Sequence, residues 1–228
     1  MFTNAEEKSG SFTFAAEGSS DPKNKFFYGN LAHPSANSGV TIGAGYDMAS
    51  RSEVQIKSDL TSAGASTDTA AKIAKAAGLK GTEADQFVET NKTTLKISDL
   101  EVLKKLFANI FPDYVKRAKQ SFSYHAQTFS TEMPKYGDKY KNAIFFDWNS
   151  LYPAIRVIAV DFVYQGFGKQ KAGFGKPMHF CMANDFDWLI KYIQTSTLSQ
   201  YEKGRGRVKY LKSKQSFEVN AYSSSMPD

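Results

Sequence analysis

The sequence predicts a mainly helical α+β protein, and three observations carry that prediction. Ser38 to Asp47 alternates apolar with small or polar residues at the period of a strand. From Ser50 onward apolar residues recur at helical spacing, and Ser, Asp and Gly stand where helices start and stop.

In chain order, Phe12, Ala15 and Ala16 follow Ser11 at i, i+3, i+4 spacing, so a short helix is expected to end at Glu17-Gly18. From Ser19 to Ser38 the chain is rich in Ser, Asn, Asp, Gly and Pro around Phe26-Phe27-Tyr28, which reads as loop. The strand comes next, with Val40, Ile42, Ala44 and Tyr46 on one side and Thr41, Gly43, Gly45 and Asp47 on the other. Helices are expected over 52–63, 68–77, 82–90 and 98–122, punctuated by Gly64, Gly78 and Gly81. Ser98 and Glu101 have capping-box spacing, and Leu100, Leu103, Leu106, Phe107 and Ile110 form an apolar stripe. Asp147 or Asn149 can cap a central core helix running to Tyr164, with Pro153 tolerated in its first turn. A glycine-rich loop, a helix over 185–194 and the basic run Lys203 to Lys212 complete the chain. The tail, 216–228, reads as frayed.

The 228 residues include 41% apolar, 23% charged and 14% aromatic residues, ample for a packed core. A net charge of +6 favours polyanionic company such as nucleic acid, anionic lipid or bacterial cell wall. The single cysteine, Cys181, excludes an intrachain disulfide framework and a multi-cysteine zinc site. The acidic opening Met1 to Gly10 has no apolar h-region and reads as no Sec-type signal peptide. The most apolar window, Leu151 to Tyr164, carries Arg156 and Asp161 and is shorter than the roughly 20 helical residues that span a bilayer, so no stable membrane insertion is expected.

Residue inventory then removes several chemistries. Gly43-Ala-Gly45 has no third glycine and no Walker lysine. His33, His125 and His179 lie far apart, and a Cys181 nucleophile would have every histidine upstream of it. No cofactor and no metal is expected. A carboxylate site is what remains: a glycosidase needs a protonated carboxyl for the leaving oxygen and a second, ionised one. Glu17 at a helix end, beside the negative pole of the dipole, suits the acid. Thr41 can hold a water, the glycines leave room for a flat sugar ring, and Asp47 offers the second carboxylate, provided the glycines bend the chain. Asp21 is the rival second carboxylate.

These residues resemble a known signature. Glu17-Gly18 followed by Ser38-Gly-Val-Thr-Ile-Gly-Ala-Gly-Tyr-Asp47 is similar to the active-site motif of phage-type lysozymes, especially the pesticin-like toxin muramidases. Asp47 to Gly81 resembles the helical segment that follows the motif in secreted lysozyme-like effectors, and Val157 to Gly166 is similar to the lysozyme core helix. Two departures stand out: Gln165 where many relatives have Asn, and Arg205 and Arg207 without a well-placed downstream Glu.

The resemblance implies one two-lobed lysozyme-like domain, with a small β-lobe over about 10–60 and a larger helical lobe over about 61–215. It makes Glu17, Thr41 and Asp47 catalytic and puts Gly43, Gly45, Tyr46 and Gln165 at substrate contacts. The implied function is hydrolysis of the β-1,4 bonds of peptidoglycan by an antibacterial toxin or secreted effector. A lytic transglycosylase and a non-catalytic glycan-binding domain are the alternatives. The implied partners are glycan strands and a cognate immunity protein, with no nucleic acid. The chain is expected to be a monomer, secreted or delivered to the periplasm of a target bacterium. Most aromatic residues, Phe26, Phe27, Phe145, Phe146, Trp148 and Trp188 among them, are expected in the core, and the Lys203 to Lys212 run on a solvated helix face.

Overall fold

The computed structural model describes residues 5–21, 23–24, 27–35 and 38–223. Phe26 and residues 224–228, on which expectations fell, lie outside the described residues. The architecture is mainly helical with a small two-stranded antiparallel sheet. No helix among the described residues is long and apolar enough to cross a membrane. The chain divides into two compact units, one of residues 17–111 and one of residues 1–16 with 112–228. Residues 61–111, expected in the helical lobe, fall in the same unit as the sheet.

In the 17–111 unit the expected single strand is a hairpin. Strand β1 (Thr41–Ile42) pairs with β2 (Tyr46–Asp47), Thr41 opposite Asp47 and Ile42 opposite Tyr46. Gly43 and Gly45 turn the chain at φ of 66° and 83°, a left-handed region that costs a side-chain-bearing residue about 1–2 kcal/mol. The alternation survives the turn: Val40, Ile42, Ala44, Tyr46 and Met48 are all at most 2% exposed. Helix α3 (Glu53–Ala63) starts at Ser52, whose side chain accepts the Gln55 N–H, and stops at left-handed Gly64. It packs through Ile56, Leu60 and Ala63 on α4 (Thr67–Ala74), which Ser66 caps in the same way. The α4–α5 connection returns to the hairpin, Gly78 N–H donating to the Met48 carbonyl and Gly39 bridging to Lys80 ahead of α5 (Gly81–Asn91).

Helix α6 (Leu100–Ala126) contains Pro112, where the second unit resumes. Its first turn is capped by Asp99, whose Oδ1 accepts the Glu101 N–H at 2.8 Å, so the expected Ser98–Glu101 box gives way to a nearer acceptor. Leu103, Leu106, Phe107 and Ile110 are buried as the stripe predicts.

The other unit begins with α1 (Ala5–Ser9) and α2 (Ser11–Ala16) and is built around α8 (Pro153–Tyr164), every residue of which from Ala154 to Phe162 is buried. Asp147 does not cap α8: it closes the short 3₁₀ turn Trp148–Ser150 instead. The N-terminus of α8 is met by Glu218, whose carboxylate accepts the Ala154 N–H at 3.1 and 3.2 Å. Arg156, also in α8, lies 3.0 Å from Glu7 and donates to the carbonyls of Asn149 and Leu151. Around α8 pack α1, α2, α9 (Lys176–Met182) and α12 (Arg207–Ser223). In α2 the buried residue is Thr13 rather than Ala15, because its hydroxyl donates to Asp161 of α8 at 2.9 Å. Helices α7 (Phe129–Glu132), α10 (Phe186–Thr195, capped by Asp185) and α11 (Ser199–Arg205) complete the unit. The region expected to fray from 216 is helical to Ser223.

Candidate active site

The base of the hairpin is clamped by Asp47. Its Oδ1 accepts the Gly39 N–H at 3.0 Å and the Ala49 N–H at 2.7 Å, drawing the two ends of the segment together. Gly39 is required there, since a Cβ on it would lie 2.6 Å from the Ala49 nitrogen. Oδ2 of Asp47 has no hydrogen-bond partner among the described residues, which leaves an oxygen with accessible lone pairs on a half-buried side chain. Opposite it, the Thr41 hydroxyl donates to the Gly39 carbonyl at 3.2 Å and keeps its own acceptor capacity. Directly paired residues on one sheet face have Cβ atoms about 4.5–5.5 Å apart, and of this pair Thr41 is buried while Asp47 is half-buried. The bend that the Thr41–Asp47 pair needs is therefore present.

Glu17 follows the last residue of α2 and is half-buried. Its segment is tied to the hairpin in two backbone steps: Tyr28 N–H donates to the Ser19 carbonyl at 3.1 Å, and Gly43 N–H donates to the Tyr28 carbonyl at 2.7 Å. The side chain of Tyr28 reads the same proximity. Burial pushes its phenol up, and the charge of Glu17 adds to that shift. Sequence reasoning saw Tyr28 only as part of an aromatic loop, and nothing in its spacing identifies it as the link.

Gly43 and Gly45 form the turn itself, and Gly43 lies over Leu103 and Leu106 of α6. Tyr46 is not displayed: it is 1% exposed, its hydroxyl donates to Asp59 at 2.6 Å, and the Arg51 guanidinium sits 4.4 Å above its ring. Arg51 also donates to the Asp47 carbonyl at 3.0 Å, so Tyr46, Asp59 and Arg51 form a bracket behind β2. Asp21 is exposed and closes its own turn by accepting the Lys23 N–H at 2.9 Å.

Gln165 belongs to the other unit, at the C-terminus of α8, where its Oε1 accepts from Arg207. That bond is part of a buried ion cluster. Arg205 donates to Asp161 at 2.7 Å and Arg207 donates to the same carboxylate at 2.8 Å, with Asp161 and Arg207 both 0% exposed. The two arginines are thus withdrawn from the basic run expected to face solvent, because Asp161 in the core helix needs both. Glu202 joins them, accepting the Val208 N–H at 2.7 Å, and burial pushes its carboxyl up. Phe27 and Trp148 are buried core residues, Trp148 donating to Glu7 at 3.2 Å.

The structure thus shows a mainly helical α+β protein that carries a threonine–aspartate pair on a glycine-turned hairpin, with a glutamate tethered to it. The chain belongs to the family described as a domain of unknown function (DUF8812), whose model matches residues 10–200. No curated protein matches the sequence.

Proposed function

We propose that this protein is a peptidoglycan muramidase with a lysozyme-like fold, hydrolysing the β-1,4 bond between N-acetylmuramic acid and N-acetylglucosamine. The observation that carries the reading is the hairpin register, which puts Thr41 opposite Asp47, with the Glu17 segment bonded to the same turn through Tyr28. In this reading Glu17 protonates the glycosidic oxygen as it leaves. Asp47, through Oδ2, either takes the proton of a water held by Thr41 or attacks the sugar itself, and the stereochemistry of the released end tells which. Such an enzyme acts outside its own cytoplasm, as an antibacterial toxin or secreted effector, with an immunity protein as the natural partner.

The test is to incubate the protein, Glu17→Gln and Asp47→Asn with isolated peptidoglycan and to identify the released fragments by mass spectrometry. Reducing N-acetylmuramic acid ends that vanish in both variants are the expected result. Anhydro ends would make the protein a transglycosylase. Absence of release by the folded wild-type chain would leave a glycan-binding domain.

A further inference from the structure

The unit of residues 1–16 and 112–228 holds a cavity of about 440 Å³ that the proposed hydrolysis does not use. Its wall includes His125, Thr128, Glu132, Tyr136, Lys176 and His179, and it joins two histidines that lie 54 residues apart.

The hydrogen bonds fix what each ring presents. His125 is 3% exposed, and its Nε2 lies 2.7 Å from the Lys169 carbonyl. A carbonyl only accepts, so that nitrogen carries the hydrogen and Nδ1 of the neutral ring is an acceptor. Nδ1 has no partner among the described residues. Gly175 keeps the space beside it open, since a Cβ there would stand 2.5 Å from Nδ1. His179 is satisfied at both nitrogens: Nε2 donates to the His125 carbonyl at 3.1 Å, and Nδ1 accepts from the Tyr136 hydroxyl at 2.7 Å. Burial lowers its pKa, while burial and Glu132 push the Tyr136 phenol up to about 12. Lys176 sits 4.8 Å above the Tyr136 ring and makes no ion pair among the described residues, whereas Glu132 is taken by Lys135 at 2.6 Å.

The wall therefore presents His125 Nδ1 as an acceptor without a donor and, at its exposed edge, the cation of Lys176 without an ion pair among the described residues. We propose that the cavity binds a small carboxylate that carries an N–H or O–H donor beside its acid group. A single charge matches the one lysine among the described residues of the wall, and a phosphate dianion would have to face Glu132 across the same cavity. Cell-wall material offers this chemistry in two forms, the lactyl arm of an N-acetylated amino sugar and the acid end of a peptide stem.

The three histidines make the test direct. Imidazole NMR signals of the full chain are followed during titration with N-acetylmuramic acid, N-acetyl-alanine, N-acetylglucosamine and inorganic phosphate. One or both acids are expected to shift His125 and His179 saturably while His33, which pairs with Asp85 in the other unit, stays in place. The acid that does so identifies the source. N-acetylglucosamine, the sugar without the acid, should bind at least about tenfold more weakly, and Lys176→Gln should weaken the acids by a similar factor. The proposal is overturned if neither acid moves the two signals, if phosphate or N-acetylglucosamine binds as well as the acids, or if Lys176→Gln binds unchanged. The readout is binding, so Glu17→Gln is expected to give the wild-type titration whether or not the muramidase reading holds.

Discussion

Asp47 and Asp161 are both aspartates held by several donors, and they illustrate two opposite uses of the same side chain. Asp161 is wholly buried, and its two oxygens are consumed by Arg205, Arg207 and Thr13. Asp47 spends one oxygen on two backbone N–H groups and keeps the other. A buried carboxylate with every lone pair engaged can only hold structure, since any reaction at it strands two guanidinium groups. A half-buried carboxylate fixed by its first oxygen has its orientation settled and its second oxygen available, which is what acid–base or nucleophilic work requires.

The sharpest way to break this contrast is to remove each acid in turn. Asp161→Ala leaves two buried arginines without their anion and is expected to cost about 3–5 kcal/mol, read from urea unfolding. Retention of wild-type stability would mean that the cluster is solvated in solution. Asp47→Asn keeps an acceptor oxygen for Gly39 and Ala49, so its unfolding midpoint should stay within about 0.5 kcal/mol of wild type while release of glycan fragments falls about 10²–10⁴-fold. Gly39→Ala separates position from chemistry: it leaves Asp47 in the sequence but forces a Cβ against Ala49. A loss of about 1–3 kcal/mol is expected, together with a fall in cleavage. Unchanged cleavage would remove the clamp from the argument.

The smallest expected effect is in pH dependence. His179 is pushed below its ordinary value of 6.5 by burial, so the unfolded chain takes the proton first as pH falls. Its contribution to stability is present above 6.5 and is lost as pH falls from there to the lowered value. His33 has the opposite sign. Its hydrogen bond to Asp85 raises it, so its contribution is present below 6.5 and is lost as pH rises through the raised value. Imidazole titration by NMR should put the two midpoints on opposite sides of 6.5, and coincident midpoints would undo the assignment.

The same contrast explains how much was legible in the sequence. Ser52, Gly64 and Asp185 announce helix ends because a cap is satisfied within three or four residues. The apolar side of residues 38–47 was legible for the same local reason, and Thr41 and Asp47 with it. A period of two cannot tell a straight strand from a hairpin whose three-residue loop preserves the period, and so the bend had to come from the structure. What spacing cannot encode is pairing at a distance. Asp161 meets Arg205 and Arg207 across 44 and 46 residues, which turns an expected solvated face into an interior one. Tyr28 is tied in through backbone groups that every residue possesses, and no residue type marks it as the link.

The buried ions have one more consequence, for the outside of the molecule. Among the described residues the buried charges are three arginines, Arg156, Arg205 and Arg207, and three acids, Glu7, Asp161 and Glu218. They cancel, and the whole formal excess of +6 belongs to the remaining residues. A chain charged in this way is drawn toward polyanionic surfaces before any specific contact forms, and its encounter rate with them should fall steeply as ionic strength rises.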